Sequence, residues 1–199
     1  MSLWLRCAAA LMAAVVLSAC ADSRFIDRTG RQGPAQLVYA PAGTELKLVN
    51  ASNGKPSETR ITVNAPTGLR GSFTREDGTT GGFYPACWGC GGSNVIEEAE
   101  YAKLWPLETG KSVGFLRTAP DGQKARVVIR VAGTASIETM AGQFDTYILD
   151  GRIEHLTGPR YSAQVRAWWA QDPGWVVKAE GGDSQGSTLS SEVASVVLP

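Results

Sequence analysis

The sequence predicts a mainly β domain, a single antiparallel sheet with one short helix. Three observations carry this. Apolar and polar residues alternate over several short runs, as in "TELKLVN" and "KARVVIRVAG". Gly, Pro, Asn and Asp clusters punctuate the runs at short spacing. One segment, "NVIEEAEYAKLWP", breaks the pattern with helical signals.

Taken in order, "TELKLVN" sets Leu46 and Leu48 against charged neighbours, and "TRITVN" follows beyond an "SNGKPS" loop. A helix is expected over 95–104. Asn94 with Glu97 three residues on forms a capping-box-like pair. Glu97, Glu98 and Glu100 suit the positive helix start, Lys103 suits the end, and Pro106 stops it. Val95, Ala99 and Ala102 would share one face. A "PDGQ" turn at Pro120–Gln123 then leads into a strand with Val127, Ile129 and Val131 on one face and Arg126, Val128 and Arg130 on the other. "GQFDTYILDGR" and "YSAQVRAWWAQ" are the next runs. Asp172-Pro173-Gly174 is a turn, with Pro fixing φ and Gly tolerating φ > 0. "WVVKAE" returns as its hairpin partner and "STLSSEVASVVL" closes the sheet.

Trp168 and Trp169 are adjacent, so in a strand they point to opposite faces. Both faces of the sheet must then be covered, as in a sandwich-like domain, or one indole meets a ligand or a partner.

The first twenty residues, "MSLWLRCAAALMAAVVLSAC", place Arg6 before an apolar run too short to span a bilayer, which reads as a secretory signal. Leu17-Ser18-Ala19-Cys20 resembles the lipobox of bacterial lipoproteins. That resemblance implies cleavage before Cys20, acylation of its thiol by chains such as palmitate, and a membrane held by several buried chains. Ala21, in place of the aspartate that retains lipoproteins on the inner membrane, implies the outer membrane, with the domain facing the periplasm. The expected organisation is a signal peptide over 1–19, a lipidated N-terminus and tether over 20–35 ("ADSRFIDRTGRQGPA" after Cys20), and one β-rich domain over 36–199. Removing Arg6 with the signal leaves 18 basic and 19 acidic side chains, a net charge of −1. No basic excess exists to grip nucleic acid.

Cys87 and Cys90 lie in "FYPACWGCGG". Haem attachment needs His after the second cysteine, where Gly91 stands. Structural zinc needs four ligands, and beyond the N-terminal segment the chain has these two thiols and the lone His155. A thioredoxin-like centre needs a helix N-terminus beside the first thiol, but Gly91 and Gly92 precede the expected helix and no βαβ context exists. A disulfide fits an oxidising compartment, stabilising a short loop by about 2 kcal/mol.

Two other motifs fail on context. "LETGKS" ends like a phosphate loop, but Trp105 stands where its first glycine belongs. "GDSQG" matches a nucleophile elbow, yet a poor helix former follows it and His155 precedes Ser184. A His155–Asp172–Ser184 order is too compressed for two barrels. No metal site, cofactor or catalytic residue is therefore expected.

Residues 104–180 resemble uncharacterised bacterial envelope domains. The matching stretches are Leu104-Trp105-Pro106-Leu107 with Gly110-Lys111, Ala141-Gly142-Gln143-Phe144-Asp145-Thr146-Tyr147, and Trp168-Trp169 through Gly174-Trp175-Val176-Val177-Lys178. The chain departs in having Pro173 next to Gly174 where that family places proline earlier. The resemblance implies an open, curved β half-barrel akin to lipoprotein carriers and assigns no catalytic residues. The leading functional expectation is a non-catalytic, lipid-anchored module that docks an envelope protein. A carrier or sensor of an apolar ligand, lined by Trp105, Trp168, Trp169 or Trp175, comes second, and a thiol oxidoreductase at Cys87 third.

Overall fold

The computed structural model describes residues 32–199, so the expected signal segment, the lipobox with Cys20 and most of the tether lie outside the described residues. In chain order the elements are β1 Glu45–Ser52, β2 Lys55–Thr67, β3 Arg70–Arg75, β4 Thr80–Phe83, β5 Val95–Ile96, α1 Glu98–Ala102, β6 Ser112–Thr118, β7 Lys124–Thr139, β8 Gly142–His155, β9 Ser162–Ala170, β10 Trp175–Asp183 and β11 Thr188–Val197. They form one antiparallel sheet in the order β4-β3-β2-β1-β11-β10-β9-β8-β7-β6-β5. Every neighbour in space is a neighbour in sequence except at one step, where β11 returns to lie between β1 and β10.

The connectivity forces curvature. A flat sheet of this width would hold its edges, β4 and β5, about 48 Å apart. The residues joining them, 84–94, can span at most about 40 Å when fully extended. They are far from extended, because Cys87 and Cys90 are joined as a disulfide with a Cα–Cα distance of 5.6 Å. The sheet therefore bends towards this loop, giving the expected half-barrel with an inner face under the loop.

Alternation does what the sequence predicts in β7. Ala125, Val127, Ile129 and Val131 are buried on the inner face, and Arg126 and Arg130 are exposed. Past the register shift between Val131 and Gly133 the paired strands continue as an arm. Its tip donates the Met140 N–H to Glu192 Oε1 at 2.8 Å. Glu192 lies on β11, four places away from β7 in the sheet. The arm thus folds back across β9 and β10, and its Ala135 and Ile137 share a core with Trp168 and Val177 that continues to Leu46, Ile61, Val63 and Val193, with Leu48, Phe73 and Trp175 packed against it.

This answers the tryptophan pair. Trp169 points inward, into the core formed with Tyr147 and the loop, edge-on to Trp105 at 5.2 Å. Trp168 points outward beneath the arm. Both are buried, at 0% and 1% exposure. Each face is covered, as in a sandwich, by the chain itself.

Two local expectations need correction. The "SNGKPS" loop is only the two-residue turn Asn53-Gly54, since Ser52 already pairs with Lys55. Both turn residues have positive φ (50° and 72°), the I′ geometry that suits strand twist. The helix spans Glu98–Ala102 rather than 95–104. Val95 and Ile96 pair instead with Thr118 and Arg117 of β6, and Glu97 N–H donates to the Leu116 carbonyl at 3.0 Å. The carboxylate of Glu97 accepts the Leu116 N–H, while the Asn94 amide donates to the Gly91 carbonyl, so no capping box forms. Nor is the expected apolar face correct: Val95 is exposed, and the side chain that α1 buries is Tyr101. At the other end, the Tyr147 hydroxyl donates to the Gly33 carbonyl and Ala35 bridges Leu107, so the chain joins the domain from Gly33 onward.

Candidate functional site: an apolar trough inside the curl

The loop 84–92 divides the inner face. On one side Ala86 and Trp88 lie over Val127, Ile129, Leu149, Ile153 and Val165 and leave almost no space. On the other side, over β1–β3, β10 and β11, a trough of about 530 Å³ remains.

Register explains its lining. On β1, Leu48 and Asn50 point inward; on β2, Thr59 and Ile61; on β3, Phe73 and Arg75; on β11, Ser191. Tyr84 to Trp88 form the opposite wall. Two glycines on β3 and β4 admit the aromatic rings. The Phe83 ring lies over Gly71 directly opposite it, where a Cβ would come within 2.2 Å, and Phe73 covers Gly81 in the same way at 2.4 Å. Glycine in an edge strand is thus covered by the aromatic residue across from it. At the far side Phe83 meets Trp175 edge-on at 4.5 Å.

Polar groups in the trough are few and mostly engaged. Asn50 Nδ2 donates to Thr59 Oγ1 at 3.4 Å. Tyr84 donates its hydroxyl to Glu98 at 3.0 Å, and burial followed by that bond pushes its pKa up. Arg75 is the one charged residue lining the trough among the described residues. Its guanidinium stands 5.0 Å over the Phe73 ring and donates to Thr79 Oγ1 at 3.2 Å.

The four expected tryptophans separate. Trp175 lines the trough. Trp168 and Trp169 are packing residues, and Trp105 is half-buried against Trp169. Sequence reasoning missed Leu48, Ile61, Phe73, Phe83, Trp88 and Arg75. The alternation of β1 marked Leu48 as one face of its strand, but nothing local says that β3 and β4 exist.

The motifs with chemical appearance resolve as structure. Cys90 is fully buried and Cys87 nearly so, and α1 starts well beyond them. Lys111 Nζ donates to the Pro106 carbonyl at 2.7 Å rather than facing a phosphate site. In "GDSQG" the Asp183 carboxylate accepts the Gln185 and Ser187 N–H groups, both at 2.9 Å, closing a polar turn, and these bonds hold its pKa below the usual range. Ser184 Oγ accepts the Ser162 N–H, and Asp172 lies at the opposite end of β10, about 30 Å away for a strand of this length. The His155 ring packs against Tyr161, tilted by 44° with centroids 4.8 Å apart. Among the described residues no group of three or more His, Cys, Asp or Glu side chains could hold a metal ion.

The architecture defines an open, curled antiparallel β protein with an apolar interior. No protein-family model matches the chain, and no curated protein matches it in sequence. Its fold is similar to that of the hypothetical lipoprotein YmcC from Escherichia coli, with a TM-score of 0.50 at 9% identity over 80% of this chain and 87% of that one. A Bacteroides fragilis protein assigned as exported and YmcC-like in fold gives 0.49 at 10% identity, covering 82% and 99%. A Parabacteroides distasonis protein assigned as a lipoprotein gives 0.48 at 11%, covering 83% and 100%. At such identities the likeness to YmcC is one of fold.

Proposed function

We propose that this chain is a lipid-anchored protein of the bacterial envelope that binds an apolar ligand and carries out no catalysis. The observation that carries the reading is the trough: a space of about 530 Å³ on one side of the disulfide loop, walled by the half-buried Leu48, Phe73, Phe83 and Trp175 above the buried Ile61. Apolar surface of this kind gains about 25 cal/mol per Å² when a ligand removes it from water. It favours a carrier or sensor over the docking of a protein partner, because the surface is recessed within the curl and a flat protein face cannot reach it.

The anchor rests on Leu17-Ser18-Ala19-Cys20. YmcC, named a hypothetical lipoprotein, has the same fold, which agrees with an envelope location. The outer membrane, implied by Ala21, is the finer part of the proposal. Labelled palmitate fed to producing cells is expected to enter the wild-type chain and not a Cys20→Ser variant. Native mass spectrometry of the gently purified protein is expected to show a co-purifying apolar mass. Repeated observation of the bare chain alone would count against the carrier reading.

A further inference from the structure

We infer that the trough holds a single acyl chain whose anionic head group is clamped by Arg75; this rests on the carrier reading above. Three observations converge on that ligand.

The first is the width of the space. Phe83 on β4 touches Trp175 on β10, although five places in the sheet separate these strands. The strands β4-β3-β2-β1-β11-β10 therefore curl almost into a ring around the trough. Eight strands enclose an interior just wide enough for side chains or one small ligand. The trough behind that contact, about 530 Å³, has room for one slender, flexible chain.

The second is the lining. Aliphatic side chains and ring faces (Leu48, Ile61, Phe73, Trp175) present mainly apolar surface, and the polar pair Asn50 and Thr59 is bonded to itself. A saturated chain needs nothing more specific.

The third is charge. Arg75 is the sole charged side chain at the trough among the described residues, and it forms no ion pair there. The nearby Asp77 carboxylate is bonded to the N–H and hydroxyl of Thr79. The Arg75 guanidinium rests on Phe73, which orients it, with donors left over for a carboxylate in the two-pronged geometry that arginine favours. Charge complementarity thus selects an acid head over a neutral one.

The test uses the full chain carrying Cys20→Ser, purified without detergent, and 9,10-dibromostearate, whose bromines quench nearby indoles. Saturable quenching of tryptophan emission is expected, and Trp175→Phe should remove a large share of its amplitude. Dibromostearyl alcohol, identical but uncharged, should bind about tenfold more weakly, a difference of about 1.4 kcal/mol. Arg75→Gln should raise the dissociation constant of the acid about tenfold and leave that of the alcohol unchanged. Arg75 is exposed, so this variant is expected to keep its fold, checked by an unaltered urea midpoint. Equal binding of acid and alcohol, or an acid preference that survives Arg75→Gln, overturns the head-group assignment while the apolar site stands. Absence of saturable quenching by both probes overturns the carrier reading itself.

Discussion

Phe83 and Trp175 meet edge-on with ring centroids 4.5 Å apart, although their strands stand five places apart in the sheet. In a flat sheet those strands would be about 24 Å apart. The contact therefore closes the N-terminal half of the sheet, and the space enclosed behind it is the trough. Such aromatic pairs contribute about 0.5–1.5 kcal/mol beyond their buried area. A double-mutant cycle with Phe83→Ala and Trp175→Ala, followed by urea unfolding, should give a coupling in that range. Additive effects would mean that the two strands do not meet in solution.

Gly174 turns β9 into β10 with φ of +82°, and a Cβ there would come within 2.7 Å of the Tyr39 carbonyl carbon. Gly122 has nearly the same φ, +83°, with open space around it. The pair separates backbone preference from collision. Gly122→Ala should cost about 1–2 kcal/mol, the penalty for a left-handed L-residue. Gly174→Ala should cost at least about 2 kcal/mol more, because the N-terminal segment at Tyr39 and Ala40 must move. Chemical denaturation of the two variants side by side decides it, and equal losses would remove the packing argument.

The folded-back arm is held by Ile137 and Ala135 over Trp168. Ile137→Ala should destabilise the protein by about 2–4 kcal/mol through the cavity it leaves. Loosening of the arm should also let water reach Trp168, seen as a red shift of emission in the native baseline. A Trp168→Phe background should abolish that shift; its persistence would place the exposed indole elsewhere.

All five tyrosines have their pKa raised, chiefly by burial. The folded chain thus holds these phenolic protons more tightly than the unfolded chain, whose tyrosines ionise at about 10. The stabilisation is complete below that pH and declines as pH rises above it. Tyr101 is fully buried, donates its hydroxyl to the Pro85 carbonyl, and is shifted furthest. Urea midpoints should fall above about pH 10, and Tyr101→Phe should flatten that fall while costing stability at neutral pH. An alkaline limb identical in the variant would assign the effect to other groups.

Much of the fold was legible in the sequence. The alternation in β7 gave its inner face residue by residue, and the Asp172-Pro173-Gly174 turn and the order of the last four strands read directly. The sheet's first edge was not legible. "RGSFTR" and "TGGF" have too little strand propensity and too many glycines to announce strands. They are strands because Phe83 and Phe73 cover the glycines opposite them, a pairing visible only once the register is known. The helix was overextended for a related reason: the capping pattern at Asn94 and Glu97 lost to backbone pairing with β6.

What the sequence by itself determined are the local quantities: which runs extend, which residues turn, that Trp168 and Trp169 face opposite ways, and that "GDSQG" and "LETGKS" lack the context for chemistry. Tertiary structure alone decided which cover lies over each tryptophan, where the curl closes, and that Trp175 rather than its three companions lines an open space. The physical reason is range. Propensity and alternation act between residues a few positions apart, whereas closure by Phe83 on Trp175, the arm over Trp168 and the loop across the inner face join residues that only the folded sheet brings together.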